Sequence, residues 1–186
     1  MDIKSWLRVF ALLSTISATV RTQDIQQRTR TPNTISNNEW IGKPAPEIHT
    51  GQWVNSMPLT LASLRGKVVL LEFWTYGCYN CRNTIPYIKT WYDRYKVSAF
   101  QIVAVHSPEF EGEKDFLSVV RRTKELGIRY PVVTDNEMEI WNDYHQEYWP
   151  VLYLIDKNGL IRYVHVGEGH YEETEQWIKV LVATKE

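Results

Sequence analysis

Val68-Val-Leu-Leu-Glu-Phe-Trp74 is apolar at every position but Glu72 and shows no alternation of polar and apolar residues. A run this short and this apolar fits a central strand covered on both faces, where alternation is lost. Just beyond it stands Cys78-Tyr-Asn-Cys81, with the only two cysteines of the chain, and from Asn80 onward Ile85, Ile88, Tyr92 and Tyr95 recur at helical spacing. A buried strand thus delivers a cysteine pair to the start of a helix.

The residues on either side extend that unit into an α/β pattern. Ile48–Val54 and Met57–Leu61 flank the turn-forming Asn55-Ser56 and predict an N-terminal hairpin, while Pro44, Pro46 and Pro58 keep helices away. Leu61 to Gly66 reads as one helical turn closed by glycine. Pro86 removes a backbone donor inside the helix after the cysteines and predicts a kink. Phe100–Val105 predicts a second buried strand, Glu113–Leu126 an amphipathic helix stopped by Gly127, Tyr130–Thr134 a short strand and Asn136–His145 a further helix. Val151–Ile155 and Leu160–Val166 flank Asp156-Lys-Asn-Gly159, a hairpin signal, and Tyr171–Thr184 closes the chain as a helix with Glu172, Glu173 and Glu175 at its positive end. Helices alternate with strands until that last hairpin, which predicts a mixed sheet with parallel central strands and an antiparallel edge.

The chain has 186 residues, enough for one core of ordinary size with extra sequence at its start. Acidic residues (22) and basic residues (21) nearly cancel and no basic block appears, which excludes nucleic acid and anionic membrane surfaces as partners of choice. Residues 1–20 read differently: Lys4 and Arg8 precede an apolar run from Val9 to Val20 that ends in small residues. This is the pattern of a secretory signal, or of an uncleaved signal anchor, and it is shorter than the roughly 20 apolar residues of a comfortable bilayer span. Residues 21–38 are rich in Gln, Thr, Asn and Arg and read as a polar linker, leaving 39–186 as the folded domain. The protein is therefore expected to be exported to the periplasm or cell envelope.

In that oxidising setting two cysteines could form a static brace. A bridge across two intervening residues closes a very small ring and removes little chain entropy, so it is a poor staple. The spacing makes better sense as a reversible redox switch. At a helix amino terminus the unsatisfied N–H groups and the dipole favour an anion, which makes Cys78 the attacking sulfur. Cys81, one turn later, faces the same side and resolves the mixed disulfide at high effective concentration.

Phe73-Trp-Thr-Tyr-Gly-Cys-Tyr-Asn-Cys81, His106-Ser-Pro-Glu-Phe110, Tyr148-Trp-Pro150 and Gly167-Glu-Gly169 resemble the thioredoxin-like domain of DipZ-type proteins, within the exported TlpA/ResA-like branch of the thioredoxin superfamily. The resemblance covers about Trp40 to Leu181. It implies a thioredoxin-like fold with an inserted helix–strand segment, and a thiol:disulfide oxidoreductase that reduces envelope disulfides. It implies that Glu72 is buried beneath the pair and takes the proton of Cys81, and that Pro150 is a cis-proline facing the pair. Trp149, Tyr76 and Tyr79 would then form an aromatic rim for an extended substrate, with Tyr79 and Asn80 tuning the potential. No cofactor is expected beyond the Cys78–Cys81 disulfide itself, and the partners are thiol or disulfide proteins met by a monomer. DipZ-type proteins also carry a membrane electron-transfer domain; with none in this chain, a donor of the DipZ/CcdA type is expected.

Two other readings stay open. Thr75 stands three residues before Cys78, as a hydroxyl does in peroxiredoxins, although Leu71 replaces the proline of that motif and Cys81 would trap a sulfenic acid. A non-catalytic binding module with a fixed disulfide is the other. His165 and His170 have H-x4-H spacing, but they lie too far from the cysteines for a zinc finger, so no metal is expected.

Overall fold

The computed structural model describes residues 39–49 and 51–185; the secretory segment and linker assigned to 1–38 lie outside the described residues. In chain order the elements are Trp53–Val54 (β1), Val68–Trp74 (β2), Tyr79–Tyr95 (α1), Phe100–His106 (β3), Phe116–Glu125 (α2), Val132–Thr134 (β4), Glu139–Asp143 (α3), Val151–Ile155 (β5), Ile161–Val166 (β6) and Tyr171–Ala183 (α4). The strands form one six-stranded sheet in the order β1-β4-β3-β2-β5-β6. β2 is central, parallel to β3 and antiparallel to β5, so neighbours on both sides satisfy its backbone groups. All seven of its residues are buried.

Successive side chains of β2 point to opposite faces. Val68, Leu70 and Trp74 pack with Cys81, Ile85 and Ile88 of α1, Val119 of α2 and Ile178 of α4. Val69, Leu71 and Phe73 pack instead with Ile48, Leu61, Ile140, Trp141 and Tyr144. Each large apolar side chain buried this way contributes about 1.5–3 kcal/mol. The pleat therefore puts Glu72 on the α1 face, among the residues that line up under the cysteine pair.

The expected N-terminal hairpin is corrected. Residues 57–61 form no strand; β1 instead pairs antiparallel with β4, Trp53 opposite Val133 and Val54 opposite Val132. Asn55 is the cause. Its backbone takes a positive φ of 68°, and its side-chain amide donates to the carbonyls of Ile128 and Tyr130 at 3.1 and 3.0 Å. That ties the end of β1 to the approach to β4, and Pro58 has no N–H to offer a returning ladder.

Other boundaries shift for similarly local reasons. α2 begins at Phe116 because Asp115 caps it, accepting the Ser118 N–H at 2.8 Å, and Glu111–Glu113 forms a separate 3₁₀ turn. α1 continues through Pro86, burying Ile85, Ile88 and Trp91. The hairpin between β5 and β6 forms as expected: the Asp156 carboxylate accepts from the Asn158 and Leu160 N–H groups, and Gly159 takes a φ of 81°. No helix of the described residues is long and apolar enough to cross a membrane.

Candidate active site

β2 ends at Trp74 and α1 starts at Tyr79, leaving Thr75 to Cys78 as the turn that presents the cysteines. Cys78 is the N-cap of α1; its Sγ accepts the Cys81 N–H at 3.2 Å. Both cysteines are free thiols, Cys78 half-buried and Cys81 buried. Their environments push them apart. Hydrogen bonding from the Cys81 thiol and from the backbone N–H groups of Cys81 and Asn80 lowers Cys78 from the ordinary 9.0 to about 7, against the opposing effects of burial and of the Glu109 charge. Burial is the main cause that drives Cys81 strongly upward, and its hydrogen bond to Cys78 adds to it.

Glu72 is fully buried and neither carboxyl oxygen has a hydrogen-bond partner among the described residues. Desolvation drives it well above the usual carboxylate range, the charge of Cys78 adds to the rise, and Tyr130 pulls the other way. The Tyr130 hydroxyl is itself buried without a completed hydrogen bond, so its pull is weak and burial governs. The charge of Glu72 also adds to the rise of Cys81.

Pro150 follows a cis peptide bond from Trp149 and directly precedes Val151, the β5 residue that pairs with Phe73. It is buried, at the same end of the sheet as the Thr75–Cys78 turn. Trp149 is half-buried and held in place: its Nε1 donates to the Ser107 carbonyl at 3.0 Å and its ring lies 4.1 Å from that of Trp141. Tyr76 is half-buried and stacks on His106, whereas Tyr79 is 68% exposed and Asn80 is exposed. His165 and His170 lie side by side at 4.8 Å, and no cluster of three or more metal-binding side chains is assembled among the described residues.

The sequence reading missed a second buried polar group next to the cysteines. Thr75, His106 and Glu113 come together from the turn, the end of β3 and the 3₁₀ turn after it. The Thr75 hydroxyl donates to Glu113 Oε2 at 2.7 Å and lies 3.3 Å from His106 Nε2. Burial lowers His106 to about 4, with Glu113 opposing, so the imidazole is neutral near pH 7. Glu113 reads in the sequence as the first residue of an amphipathic helix; the nearest signal of its other role was Gly77 immediately before Cys78, where a Cβ would stand 2.1 Å from Glu113 Oε1.

Residues 41–164 match the AhpC/TSA family. Protein DipZ of Mycobacterium tuberculosis (strain CDC 1551 / Oshkosh) is 43% identical over 143 residues, which make up 74% of this chain and 20% of DipZ. The chain thus spans about a fifth of the length of that relative. Thiol-disulfide oxidoreductase ResA of Bacillus thuringiensis (strain Al Hakam) is 30% identical over 139 residues, 75% of this chain and 77% of ResA. Among solved structures, thioredoxin-like superfamily protein SPOA0173 superposes with a TM-score of 0.71 at 28% identity, covering 76% of this chain and 97% of its own. A thiol-disulfide isomerase from Corynebacterium glutamicum gives 0.67 at 26% identity, covering 76% and 98%. Fold and sequence agree that the chain belongs to the AhpC/TSA family of thioredoxin-like proteins.

Proposed function

We propose that this protein is an exported thiol:disulfide oxidoreductase that reduces disulfides in envelope proteins through Cys78 and Cys81. The observation that carries the reading is the inequality of the two sulfurs: Cys78 accessible and lowered to about 7, Cys81 buried and raised. A thiolate is the nucleophile of disulfide exchange, so Cys78 is present as the attacking species near neutral pH and Cys81 is not.

In the first step the Cys78 thiolate attacks one sulfur of a substrate disulfide, forming a mixed disulfide and releasing the other substrate sulfur as a thiolate. Cys81 then gives its proton to Glu72 and attacks Cys78, expelling the second substrate thiolate. The substrate gains two electrons and Cys78–Cys81 becomes the disulfide; a membrane electron donor of the DipZ type would return the pair to the dithiol. Glu72 suits the proton transfer because burial raises its affinity for a proton well above that of an ordinary carboxylate. Trp149, Pro150, Tyr76, Tyr79 and Asn80 are the residues assigned to an extended substrate segment; the reading is supported by the cis Trp149–Pro150 bond at the same end of the sheet as the cysteine turn and by the exposure of Tyr79 and Asn80. Export rests on the secretory pattern of residues 1–20. The thiol-peroxidase reading loses support because the Thr75 hydroxyl is buried and donates to Glu113.

An equilibrium redox titration of the Cys78–Cys81 pair against glutathione tests the reading. A reversible two-electron transition near or below about −230 mV is expected for a reductant. A potential near that of the strongest dithiol oxidants, about −120 mV, would reverse the direction, and a pair that glutathione cannot reduce at all would make the bridge structural.

A further inference from the structure

We infer that Glu113 is a positioning residue for this exchange: its buried carboxylate clamps the segment after β3 onto the turn that presents Cys78, and so fixes the backbone at Glu109 against that turn. The inference rests on the redox reading of Cys78 and Cys81.

One oxygen does the clamping. Glu113 Oε2 accepts the Thr75 hydroxyl at 2.7 Å and the backbone N–H groups of Glu109 and Phe110 at 2.8 and 3.4 Å. Oε1 faces Gly77, so close that a Cβ there would stand 2.1 Å away. The carboxylate is 5% exposed and spends its hydrogen bonds on the active-site turn and on the loop rather than on the sheet. A buried carboxylate is retained only where its bonds are satisfied, and here they join two segments that no strand ladder connects. Tyr76 makes a second fastening in the same place: its hydroxyl donates to the Gly112 carbonyl at 3.0 Å and its ring stacks on His106 at 5.2 Å.

The clamp sets where charge falls. Cys78 accepts the Cys81 N–H from α1, and the charges of Glu72 on β2 and Glu109 on the clamped loop act on it across the turn. The first stabilises its thiolate; the Glu109 carboxylate opposes it. Whatever disfavours the thiolate disfavours the dithiol form relative to the disulfide, so a held Glu109 makes the pair a stronger reductant. The inserted segment thereby acts on the chemistry of a turn that lies some 30 residues earlier in the chain.

Glu109→Gln, Glu113→Ala, Glu113→Gln and the Glu109→Gln/Glu113→Ala double variant separate these effects. Thiolate absorbance across pH reports Cys78, glutathione equilibration reports the potential, and thermal unfolding reports the fold. Glu109→Gln is expected to raise the Cys78 thiolate fraction at pH 6 about threefold, and Glu113→Ala to raise it in the same direction. The double variant is expected to match Glu113→Ala alone, because the charge has already left the sulfur. Glu113→Gln keeps an acceptor for Thr75 and the loop and should fall between wild type and Glu113→Ala. A Glu109→Gln effect of full size in the Glu113→Ala background, or a Cys78 titration unmoved by Glu113→Ala, would overturn the inference. Should Glu113→Ala fail to fold, Thr75→Val removes one arm of the clamp with little change of shape and carries the same expectation. A wild-type pair that does not titrate reversibly with glutathione sinks the redox reading instead, while the thiolate titration still decides the role of Glu113.

Discussion

Cys78 and Cys81 are the same side chain one helical turn apart, and position alone gives them opposite protonation behaviour. The first caps α1 and collects its N–H groups; the second is sealed under the sheet. Glu72 shares the second environment, and two measurements on Glu72→Gln follow from it. Its folded pKa lies above the unfolded value of 4.5, so the folded state holds the proton more tightly, and stability is lost as pH rises through the folded pKa. Gln mimics the protonated form. The variant is expected to match wild-type stability below pH 4.5 and to exceed it at higher pH, in urea unfolding across pH. The same substitution should slow resolution of the mixed disulfide and flatten its pH dependence. An exchange profile identical to wild type would remove Glu72 from the proton path and leave it a structural acid.

At the scale of elements, the turn between β2 and α1 is held from outside itself. Gly77→Ala would place a methyl 2.1 Å from an oxygen of Glu113, whose other oxygen is fixed by three hydrogen bonds. The expected cost is about 1–3 kcal/mol with a slower disulfide exchange. Gly112→Ala, which meets nothing within 4 Å, is the control and should leave both unchanged. Equal Tm values for the two variants would mean that the clamp yields freely. Elements whose cause is local were legible in the sequence: the apolar run of β2, the helical period of α1, and the Asp156–Gly159 turn between β5 and β6. Those whose cause is distant were not. Asn55 reads as a hairpin turn, yet its amide reaches carbonyls at Ile128 and Tyr130. Glu113 reads as the start of a helix, yet Asp115 takes the cap and frees Glu113 to turn back on Thr75. Cys78, Cys81 and Pro150 lie in short motifs and Glu72 in the apolar run before them, and His106 opens the motif His106-Ser-Pro-Glu-Phe110 at a strand end, but its bond to Thr75 needs a contact the sequence does not display.

Across the whole molecule, the buried imidazole of His106 couples stability to pH. Its folded pKa of about 4 lies below the ordinary 6.5 of a histidine, so the unfolded chain binds a proton in that window that the folded protein refuses. Stability is therefore expected to fall as pH drops from 6.5 towards 4, by about 3 kcal/mol at most, and His106→Gln should remove that part of the slope. Unfolding in urea at pH 7 and pH 4.5 checks this; identical losses in both proteins would clear His106 of the effect. The sheet also has two outer strands, and they are guarded unequally. β1 is two residues long and offers little to a stranger. β6 is longer, and its start is covered by the chain that leads into the domain: Gly42 donates to the Ile161 carbonyl at 2.8 Å, and Ile161 donates to that of Lys43 at 2.9 Å. Bare strand margins recruit further chains. A protein trimmed past Ala45 would keep its cysteines, its acid and its rim intact, and would still expose a sticky seam through which copies could stack.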